Sequence, residues 1–497
     1  MMLPAVLLNA PLSWRDLSAV ARGAALVLSP EAWARVGSAH ALVEAIVSQG
    51  IRAYGVNTGV GALVSTVVDR EKQRDLSRNL VMSHACGMGQ ALETAAVRGI
   101  IAAQVNNFAH GRSGVRPELV EGLLTLLARN CVPEVPSRGS VGYLTHMAHI
   151  GLVLIGAGSA HLNGQRLSGR AALDAIGMSP LVLDSKEGLS LVNGSPCATG
   201  LGGYALSRIE TLLDTADAVA ALTLEALGAQ TSAYEEQVLR LRVSTGLHQA
   251  GAALRNHLAG SRRLARAAGT RLQDALSLRA VPHVHGAARD AFDAVCAVVD
   301  RELRSVTDNP IVSGTPAAPV VESEAHAVAP ALAIAFDSLA IAIAHLGANS
   351  ERHTDRLVNP LVSGLPPFLA SDPGATTGFM IAQYTASALV ADNRRLCAPA
   401  SLDGGINSAL QEDYLAHPTA AATKLLAVID NTEYILGIEL LAAVEAHDLA
   451  VDPADRAPGT AAIHRHVRAR VDRYRDDRPL ADHLNIGAEI IKRGLPT

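Results

Sequence analysis

The residues best suited to chemistry lie in a short turn ahead of an apolar helix. Residues 136–155 read PSRGSVGYLTHMAHIGLVLI, with proline, serine and glycine in the turn and mainly apolar residues after Gly142. Small residues and free backbone N–H groups at the start of a helix suit a reactive centre, because the backbone can approach a ligand closely. An ordinary junction between a loop and a helix has the same composition. The turn alone therefore leaves its function open.

The elements that must position this turn are predicted to be helices. Apolar residues recur at helical spacing through most of the 497 residues, with long stretches at about 199–228, 325–350 and 419–446. This pattern predicts a mainly α fold with a long central helical bundle. We expect three parts, listed in chain order: a loop-rich helical domain at 1–198, the central bundle at 199–450, and a charged helical segment at 451–497.

Two local signals predict particular structures in the first part. Ser29 followed by Pro30 is typical of a helix cap with proline at the first helical position. Asn163 followed by Gly164, between apolar residues, is typical of a tight β-hairpin turn.

Composition excludes some classes of function and favours a cellular compartment. A net charge of −5 gives no electrostatic reason to expect nucleic acid as a partner. The five cysteines are scattered and none forms a CxxC pair, so neither a disulfide framework nor a zinc knuckle is predicted. A reducing cytoplasm is the simplest expectation.

The longest apolar run, at 325–348, raises the question of a membrane span. It contains Pro330, Asp337 and His345, which spanning segments seldom carry without partners. Its many alanines favour a helix buried among other helices, and one chain rarely surrounds such a helix completely. The run therefore predicts a bundle helix and an assembly of several chains, with no membrane partner.

A series of loop motifs resembles those of one known family. In chain order they read YGVNTGVG, RNLVMSHACG, SRGSVG, KEGLSLVNG, QDALSLR, TDNP, SERH, LPPFL, GFMIAQ and NSALQED. Together they resemble the aromatic amino acid ammonia-lyases and aminomutases, most of all the histidine ammonia-lyases, over about residues 40–450. The resemblance implies a mainly helical homotetramer with active sites built from loops of several subunits.

The resemblance also implies a cofactor, methylidene-imidazolone, that the family makes from its own chain. An Ala-Ser-Gly tripeptide after the equivalent of Gly142 cyclises and dehydrates to form it. In this sequence Gly142 is followed directly by Tyr143, so the tripeptide is absent as the sequence is written. Val141 cannot lose water to form a methylidene group and would crowd the ring nitrogen. We therefore expect no cofactor.

Other positions of the motifs also depart from the family. The tyrosine of the family motif QDPYSLR is replaced by Leu276, and the family's Asn-Phe-His run aligns with 326–328, which reads HAV. The acidic residue after the tripeptide aligns with Tyr143, and the family's QEDH ends here in Tyr414. Several loops thus change together, which favours a true absence over a tripeptide lost from the sequence as written.

The resemblance assigns roles to individual residues, each with an ordinary alternative. Tyr54 matches the catalytic base, which needs a lowered pKa, and its alternative is a buried structural tyrosine. Glu412 matches a second acid or base, and its alternative is an ion-pair or capping carboxylate. Arg279 matches the clamp on the substrate carboxylate, and its alternative is a surface salt bridge. The matched substrate-binding positions are His84, which reads the substrate ring, and Asn193, Gln273 and Gln411.

Histidines near these motifs suggest a further possibility. His146 and His149 lie three residues apart on one helix face, His283 and His285 follow Arg279, and His326 lies in another loop of the site. Three of these side chains could converge on a metal or supply acid–base groups. No motif fixes the geometry of a metal site, so ordinary core or acid–base histidines are the favoured explanation.

Three functions follow from these observations. In the family, methylidene-imidazolone is the electrophile that captures the substrate. Without it, a base and a carboxylate clamp can still perform elimination, addition, isomerisation or cyclisation on a small, amino-acid-derived carboxylate that is already activated. The first alternative is a conventional histidine or tyrosine ammonia-lyase or aminomutase whose tripeptide is missing only from the written sequence. The second alternative is an inactive binding subunit that assembles with an active relative.

Overall fold

The computed structural model describes residues 4–402 and 404–496, and most of them are helical. The α-helices of these residues have the following bounds: α1 Trp14–Ala21, α2 Pro30–Ser48, α3 Gln73–His84, α4 Thr94–Ala109, α5 Pro117–Ala128, α6 Thr145–Leu154, α7 Gly169–Ala175, α8 Glu187–Val192, α9 Pro196–Ala226, α10 Glu236–Leu239, α11 Thr245–Leu258, α12 Arg262–Ala267, α13 Leu276–Arg279, α14 Val281–Leu303, α15 Pro330–Val358, α16 Pro360–Ser363, α17 Met380–Leu396, α18 Pro418–Ala450, α19 Pro458–Arg468 and α20 Ala481–Arg493. The mainly α prediction is therefore confirmed.

Short strands complete the secondary structure. They have the following bounds: β1 Val6–Leu8, β2 Leu26–Leu28, β3 Met88–Ala91, β4 Val132–Pro133, β5 Pro136–Arg138, β6 Ser159–Leu162, β7 Gln165–Ser168, β8 Ile311–Thr315 and β9 Ala318–Glu322. They form small sheets of two or three strands: β1 with β2 in parallel, and β3 with β5, β4 with β6 and β7, and β8 with β9 antiparallel.

Both local signals are confirmed. The Ser29 hydroxyl accepts a hydrogen bond from the backbone N–H of Ala32 at 3.2 Å, and Pro30 begins α2. Asn163 and Gly164 both have positive φ angles, 50° and 78°, between the paired strands β6 and β7. Positive φ at both turn positions is what a two-residue hairpin needs to match the twist of its strands.

The contacts within the chain define two units, each built from three segments. Unit 1 comprises Met1–Ser207, Cys296–Asp337 and Pro399–Thr423, and unit 2 comprises Arg208–Val295, Ser338–Ala398 and Lys424–Thr497. The helices α9, α14, α15 and α18 contribute residues to both units. The division into 1–198, 199–450 and 451–497, which rests on composition and helix pattern, stays a prediction.

Helix α4 forms the centre of unit 1. Every residue from position 96 to position 109 is buried, and several of its polar side chains bond to backbone groups of distant segments. The Asn106 amide oxygen accepts from the Leu12 N–H at 2.9 Å, and its nitrogen donates to the Leu303 carbonyl at 2.8 Å. A Cβ on Gly200 would lie 2.5 Å from the Ile100 backbone, so α9 packs there with its backbone against α4.

Unit 2 contains a buried polar cluster in its core. His353 and Glu439 are both about 1% exposed, and the His353 Nδ1 lies 2.8 Å from the Glu439 carboxylate. The same carboxylate accepts from the Thr223 hydroxyl at 2.7 Å, and the His353 Nε2 lies 3.0 Å from the Ser277 carbonyl. A buried charge of this kind is tolerated because both partners are hydrogen-bonded.

The apolar run at 325–348 forms the short turn His326–Val328 and most of α15. Among the described residues, the helical stretch His326–Val358 is long and apolar enough to cross a membrane by length and composition, and 56% of its most apolar window is buried. Ile334 and Ile341 remain 63% and 43% exposed. The helix is therefore partly covered by its own chain, as expected of a bundle helix with further neighbours.

The charged segment near the C-terminus is only partly helical. Helix α19 ends at Arg468, whereas the basic and acidic run continues to about residue 478. Arg468 is 17% exposed because its guanidinium donates to Asp448 at 2.9 Å and to Glu445 at 2.6 Å. This arginine stabilises unit 2 by ion pairs that spacing within the run does not reveal.

Candidate active site

Tyr54 lies on a loop whose shape is fixed by the side chain of Asn57. The Asn57 amide oxygen accepts from the Ala53 N–H at 2.8 Å, and its nitrogen donates to the Ile51 carbonyl at 2.8 Å. The half-buried Tyr54 hydroxyl accepts a hydrogen bond from the Gly61 N–H at 3.2 Å. The loop therefore holds the phenol oxygen in one place.

The surroundings of Tyr54 do not make its phenol more acidic. Burial raises the pKa of Tyr54 above its ordinary value; the Gly61 N–H opposes this rise and the charge of Glu412 adds to it. A tyrosine that removes a carbon-bound proton needs the opposite shift. The lowered pKa expected from the sequence is thus not provided by these neighbours.

The turn at 139–143 is held by hydrogen bonds of Ser140 and Thr419. The Ser140 hydroxyl donates to the Tyr143 carbonyl at 3.0 Å and accepts from the Gly142 N–H at 3.1 Å. The Thr419 hydroxyl donates to the Gly142 carbonyl at 2.9 Å. Gly142 has φ +142°, and a Cβ there would lie 2.8 Å from the Pro418 ring. Glycine is therefore required at this position.

The chain reaches α6 through a strained residue. Leu144 has φ 73° and ψ −80°, and the Thr145 N–H bonds back to the Tyr143 carbonyl at 3.1 Å, which is the rare form of the three-residue γ-turn. The Leu144 N–H is held by the Val192 carbonyl at 2.7 Å. The predicted helix behind Gly142 is confirmed and begins at Thr145.

Tyr143 places its hydroxyl against the carboxylate of Glu412. The O–H donates to the Glu412 Oε2 at 3.0 Å, and the Tyr143 side chain is 8% exposed. Burial raises the pKa of Tyr143 strongly, and the charge and hydrogen bond of Glu412 raise it further; Tyr54 also contributes. Tyr143 therefore acts as a hydrogen-bond donor at neutral pH.

A turn with unusual backbone angles presents Glu412. Asn407 and Glu412 exchange two backbone hydrogen bonds of 2.8 and 3.2 Å, and the residues 408–410 between them all have positive φ angles. The Ser408 hydroxyl accepts from the Ala62 N–H at 3.1 Å, which connects this turn to the loop of Tyr54. Unit 1 thus brings Tyr54, Tyr143 and Glu412 together, while the neighbouring predicted residue Gln411 is exposed.

Asn193 and His84 also lie in unit 1. Asn193 follows α8, is 6% exposed, and its side-chain nitrogen donates to the Asn309 carbonyl at 2.5 Å, which leaves its oxygen and its second N–H for another group. His84 ends α3, and its ring lies 3.1 Å from the Ser83 hydroxyl. Burial lowers the pKa of His84, which favours a neutral ring at pH 7.

Arg279 and Gln273 lie together in unit 2. The Arg279 Nε donates to the Asp274 carbonyl at 2.9 Å. With its amide oxygen turned toward the guanidinium, Gln273 accepts from the Arg279 Nη1 at 3.0 Å. Leu276, in place of the family tyrosine, is 68% exposed. The segment 273–279, which ends in α13, thus presents the Arg279 guanidinium in a direction set by Asp274 and Gln273.

The predicted histidines of unit 1 have different surroundings. His146 is 1% exposed, and within the described part of the chain neither ring nitrogen has a hydrogen-bond partner. Burial lowers the pKa of His146 to about 4, so the ring is neutral at pH 7. His149 accepts from the Gly87 N–H at 3.1 Å, and His326 is exposed beside Glu324, 3.2 Å away.

The histidines of unit 2 also have separate surroundings. His283 is exposed, whereas His285 is buried and lies 2.7 Å from the Asp217 carboxylate, to which Arg289 also donates. In the ranges 4–402 and 404–496, no group of three or more histidine, cysteine or acidic side chains is placed to hold a metal ion. The metal alternative therefore has no support from these residues, and His285 is a structural ion-pair residue.

Two residues of the site were not singled out from the sequence. Ser408 lies within the motif NSALQED, which implies no role for it, although its hydroxyl links the Tyr54 and Glu412 loops. Thr419, which fixes the Gly142 carbonyl, belongs to no motif. Its only signal is its place beside Pro418 at the start of a long helix.

Known proteins resemble this chain over nearly its whole length. The sequence pattern of the family described as aromatic amino acid lyase matches residues 12–469. A histidine ammonia-lyase of Symbiobacterium thermophilum is 42% identical over 494 residues, which cover 99% of this chain and 97% of that protein.

Solved structures agree with this assignment. The tyrosine aminomutase of Streptomyces globisporus has a TM-score of 0.92 at 32% identity, covering 99% of this chain and 97% of its own. The ergothioneine-degrading ergothionase of Treponema denticola has a TM-score of 0.91 at 28% identity, covering 98% and 99%. The chain therefore belongs to the aromatic amino acid lyase family.

Proposed function

We propose that the protein is a carbon–nitrogen lyase that removes the amine from histidine or a closely related amino acid. The similarity to histidine ammonia-lyases supports this conventional alternative more than the cofactor-free chemistry that the missing tripeptide predicts. The observation that carries the proposal is the grouping of Tyr54, Tyr143 and Glu412 at the turn after Gly142. A base and a second proton-transfer group are what an elimination requires.

Each residue has a defined task in the elimination. The Tyr54 oxygen, as phenolate, takes the proton from the β-carbon, the C–H electron pair forms the double bond, and the C–N pair leaves with nitrogen. By resemblance to the family, whose active sites are built from loops of several subunits, an Arg279 binds the substrate carboxylate as a planar cation. The ring of His84, which burial keeps neutral, accepts a hydrogen bond from a polar substrate ring or donates one to it. A cationic substrate nitrogen near Tyr54 would favour the phenolate that its neighbours disfavour.

The residues of the turn do not fit a methylidene-imidazolone. The Ser140 hydroxyl is bonded on both sides, Val141 follows it, and Tyr143 stands directly after Gly142 with its phenol against Glu412. We therefore route no step through this group. The conventional reaction requires that the natural protein contain three more residues at this junction.

A second candidate function keeps the written sequence unchanged. We propose that, without an electrophile, the substrate nitrogen is fully substituted. A base strong enough to attack a β-proton first removes an N–H proton from an ammonium group, which leaves an amine that cannot depart. A quaternary nitrogen has no such proton and departs as a tertiary amine. The ergothionase structure, similar over 98% of this chain, comes from an enzyme that degrades ergothioneine, a compound with a quaternary nitrogen, and this supports such a nitrogen in the substrate.

Two other properties stay proposals. A homotetramer is favoured by large apolar side chains that the single chain leaves exposed, such as Leu272 at 106% and Tyr384 at 63%. A cytoplasmic location is favoured by five free cysteines among the described residues. An inactive subunit that assembles with a tripeptide-bearing relative is the remaining alternative, and it predicts co-purification with a second chain.

One experiment separates these functions. The purified protein is incubated with histidine, tyrosine, phenylalanine and the trimethylated betaine of histidine, while enoate absorbance and free amine are measured. Turnover of a free amino acid, with an intact mass above that of the written chain by three residues less two waters, supports the conventional reaction. Turnover of the betaine alone, at the mass of the written chain, supports the cofactor-free reaction. No turnover of any of the four refutes both.

A further inference from the structure

Tyr143 makes a contact that differs from that of an ordinary buried tyrosine. The buried Tyr234, for example, donates to a backbone carbonyl, that of Leu278, at 2.8 Å. The Tyr143 hydroxyl instead donates to a carboxylate, which is only half-buried and lies on a turn 269 residues away in sequence. A buried phenol whose hydrogen bond goes to a catalytic carboxylate affects that carboxylate directly.

The contact uses one oxygen of Glu412 and leaves the other available. Within the described part of the chain, the Oε1 of Glu412 has no hydrogen-bond partner, whereas Oε2 is held by Tyr143 at 3.0 Å. The backbone of Glu412 is fixed by its two bonds to Asn407. A side chain fixed at its backbone and at one oxygen can present the other oxygen in only a narrow range of directions.

The position of Tyr143 itself is equally well fixed. Its ring is buried, its carbonyl accepts from the Ser140 hydroxyl, and the strained γ-turn at Leu144 follows it. Strain of this kind persists only where the surrounding structure determines the conformation, and it is frequent at functional sites. The turn after Gly142 thus places a rigid donor opposite the Glu412 loop.

We propose that Tyr143 is a positioning residue for Glu412, which it holds through Oε2 so that Oε1 faces the substrate nitrogen. The inference rests on the proposed function, since it assigns Glu412 to the departing amine. Tyr143 does not exchange a proton with the substrate. Its hydroxyl orients the carboxylate and balances part of its charge before the substrate binds.

A double-mutant cycle tests this proposal. Tyr143→Phe removes the hydroxyl and keeps the ring, Glu412→Gln removes the charge, and a third protein carries both changes. We expect Tyr143→Phe to lower kcat/KM about 10- to 100-fold, the usual effect of a hydrogen bond to a charged group. In the Glu412→Gln background the same change should alter kcat/KM less than about 2-fold, because the amide can still accept the phenol hydrogen bond but no longer carries the charge that the hydroxyl is proposed to orient.

A matched control separates positioning from general structure. Tyr474 in unit 2 donates to the Asp477 carboxylate at 3.2 Å, outside the proposed site, so Tyr474→Phe should leave kcat/KM unchanged. The proposal is overturned if Tyr143→Phe keeps wild-type kcat/KM, or if it loses as much activity in the Glu412→Gln background as alone. A Tyr143→Phe protein whose urea midpoint falls far below that of Tyr474→Phe also overturns it, since the residue is then structural.

The same proteins distinguish this inference from the proposed function. If the wild-type protein turns over none of the four compounds, the proposed function fails. Urea unfolding of the four proteins of the cycle then tests the Tyr143–Glu412 contact without an activity assay. If the shifts of the urea midpoint are not additive, the two side chains interact, and if they are additive, the interaction is refuted.

Discussion

Breaking the buried ion pair between Lys186 and Asp308 should destabilise unit 1 strongly. The Lys186 ammonium donates to the Asp308 Oδ2 at 3.0 Å and to the Ser190 hydroxyl at 2.8 Å, and both charged side chains are 0% exposed. The Ser190 hydroxyl donates to the same carboxylate oxygen at 2.9 Å. All three groups therefore depend on one another for their hydrogen bonds.

The size of the effect follows from the uncompensated charge. Lys186→Met leaves the Asp308 carboxylate buried with hydrogen bonds but no cation, which costs about 3–5 kcal/mol of the free energy of unfolding. The double change Lys186→Met with Asp308→Leu removes both charges and should recover most of that loss. Activity should also fall in the single variant, because Asp308 precedes Asn309, whose carbonyl holds the Asn193 amide.

Urea unfolding measures these differences. Arg170 and Asp174 form an exposed pair one helical turn apart, 65% and 55% exposed, so Arg170→Met provides the control and should cost less than about 0.5 kcal/mol. A Lys186→Met protein as stable as the Arg170→Met protein would contradict the reasoning. A double variant less stable than the single one would contradict the assignment of the cost to an unpaired charge.

Three further predictions concern other parts of the chain. Gly188→Ala should lower the free energy of unfolding by about 1–3 kcal/mol or more in urea titrations, because a Cβ there would lie 2.1 Å from the Ser77 carbonyl oxygen. The pKa of His353 is raised despite its burial, because Glu439 favours the charged ring. The contribution of the charged His353 to stability is therefore complete below about pH 6.5 and is lost as pH rises through the folded-state pKa. The variant His353→Gln should flatten this part of the curve of stability against pH. Tyr54→Phe should abolish turnover of the true substrate with little change in melting temperature, and unchanged turnover would refute its role as base.

Much of the local structure could be predicted because its causes are local. The helix cap at Ser29 and the hairpin at Asn163 depend on residues within four positions of each other. The mainly α class followed from helical periodicity over long stretches. The loops at Tyr54, Gly142 and Glu412 could be located because their motifs carry glycine, asparagine and carboxylate residues at recognisable spacing.

The interactions that could not be predicted join segments far apart in sequence. Nothing near Tyr143 indicates that its hydroxyl meets Glu412, and nothing near His285 indicates that it pairs with Asp217. Distance from a motif groups the histidines in the sequence, but their burial and ion pairing depend on elements that are distant in sequence. The raised pKa of Tyr54 could likewise not be predicted from the sequence, since it results mainly from burial.

The interleaved segments of unit 1 have a consequence for synthesis of the protein. Asn106 in α4 donates to the Leu303 carbonyl, and the Gly142 carbonyl accepts from Thr419. Both hydrogen bonds can form only after these later parts of the chain have been synthesised. The ribosome must therefore release residue 423 before the first unit can close. Until then α4 offers an apolar surface to any other nascent chain, and a gene fragment ending at residue 207 would yield aggregates in place of a separable domain.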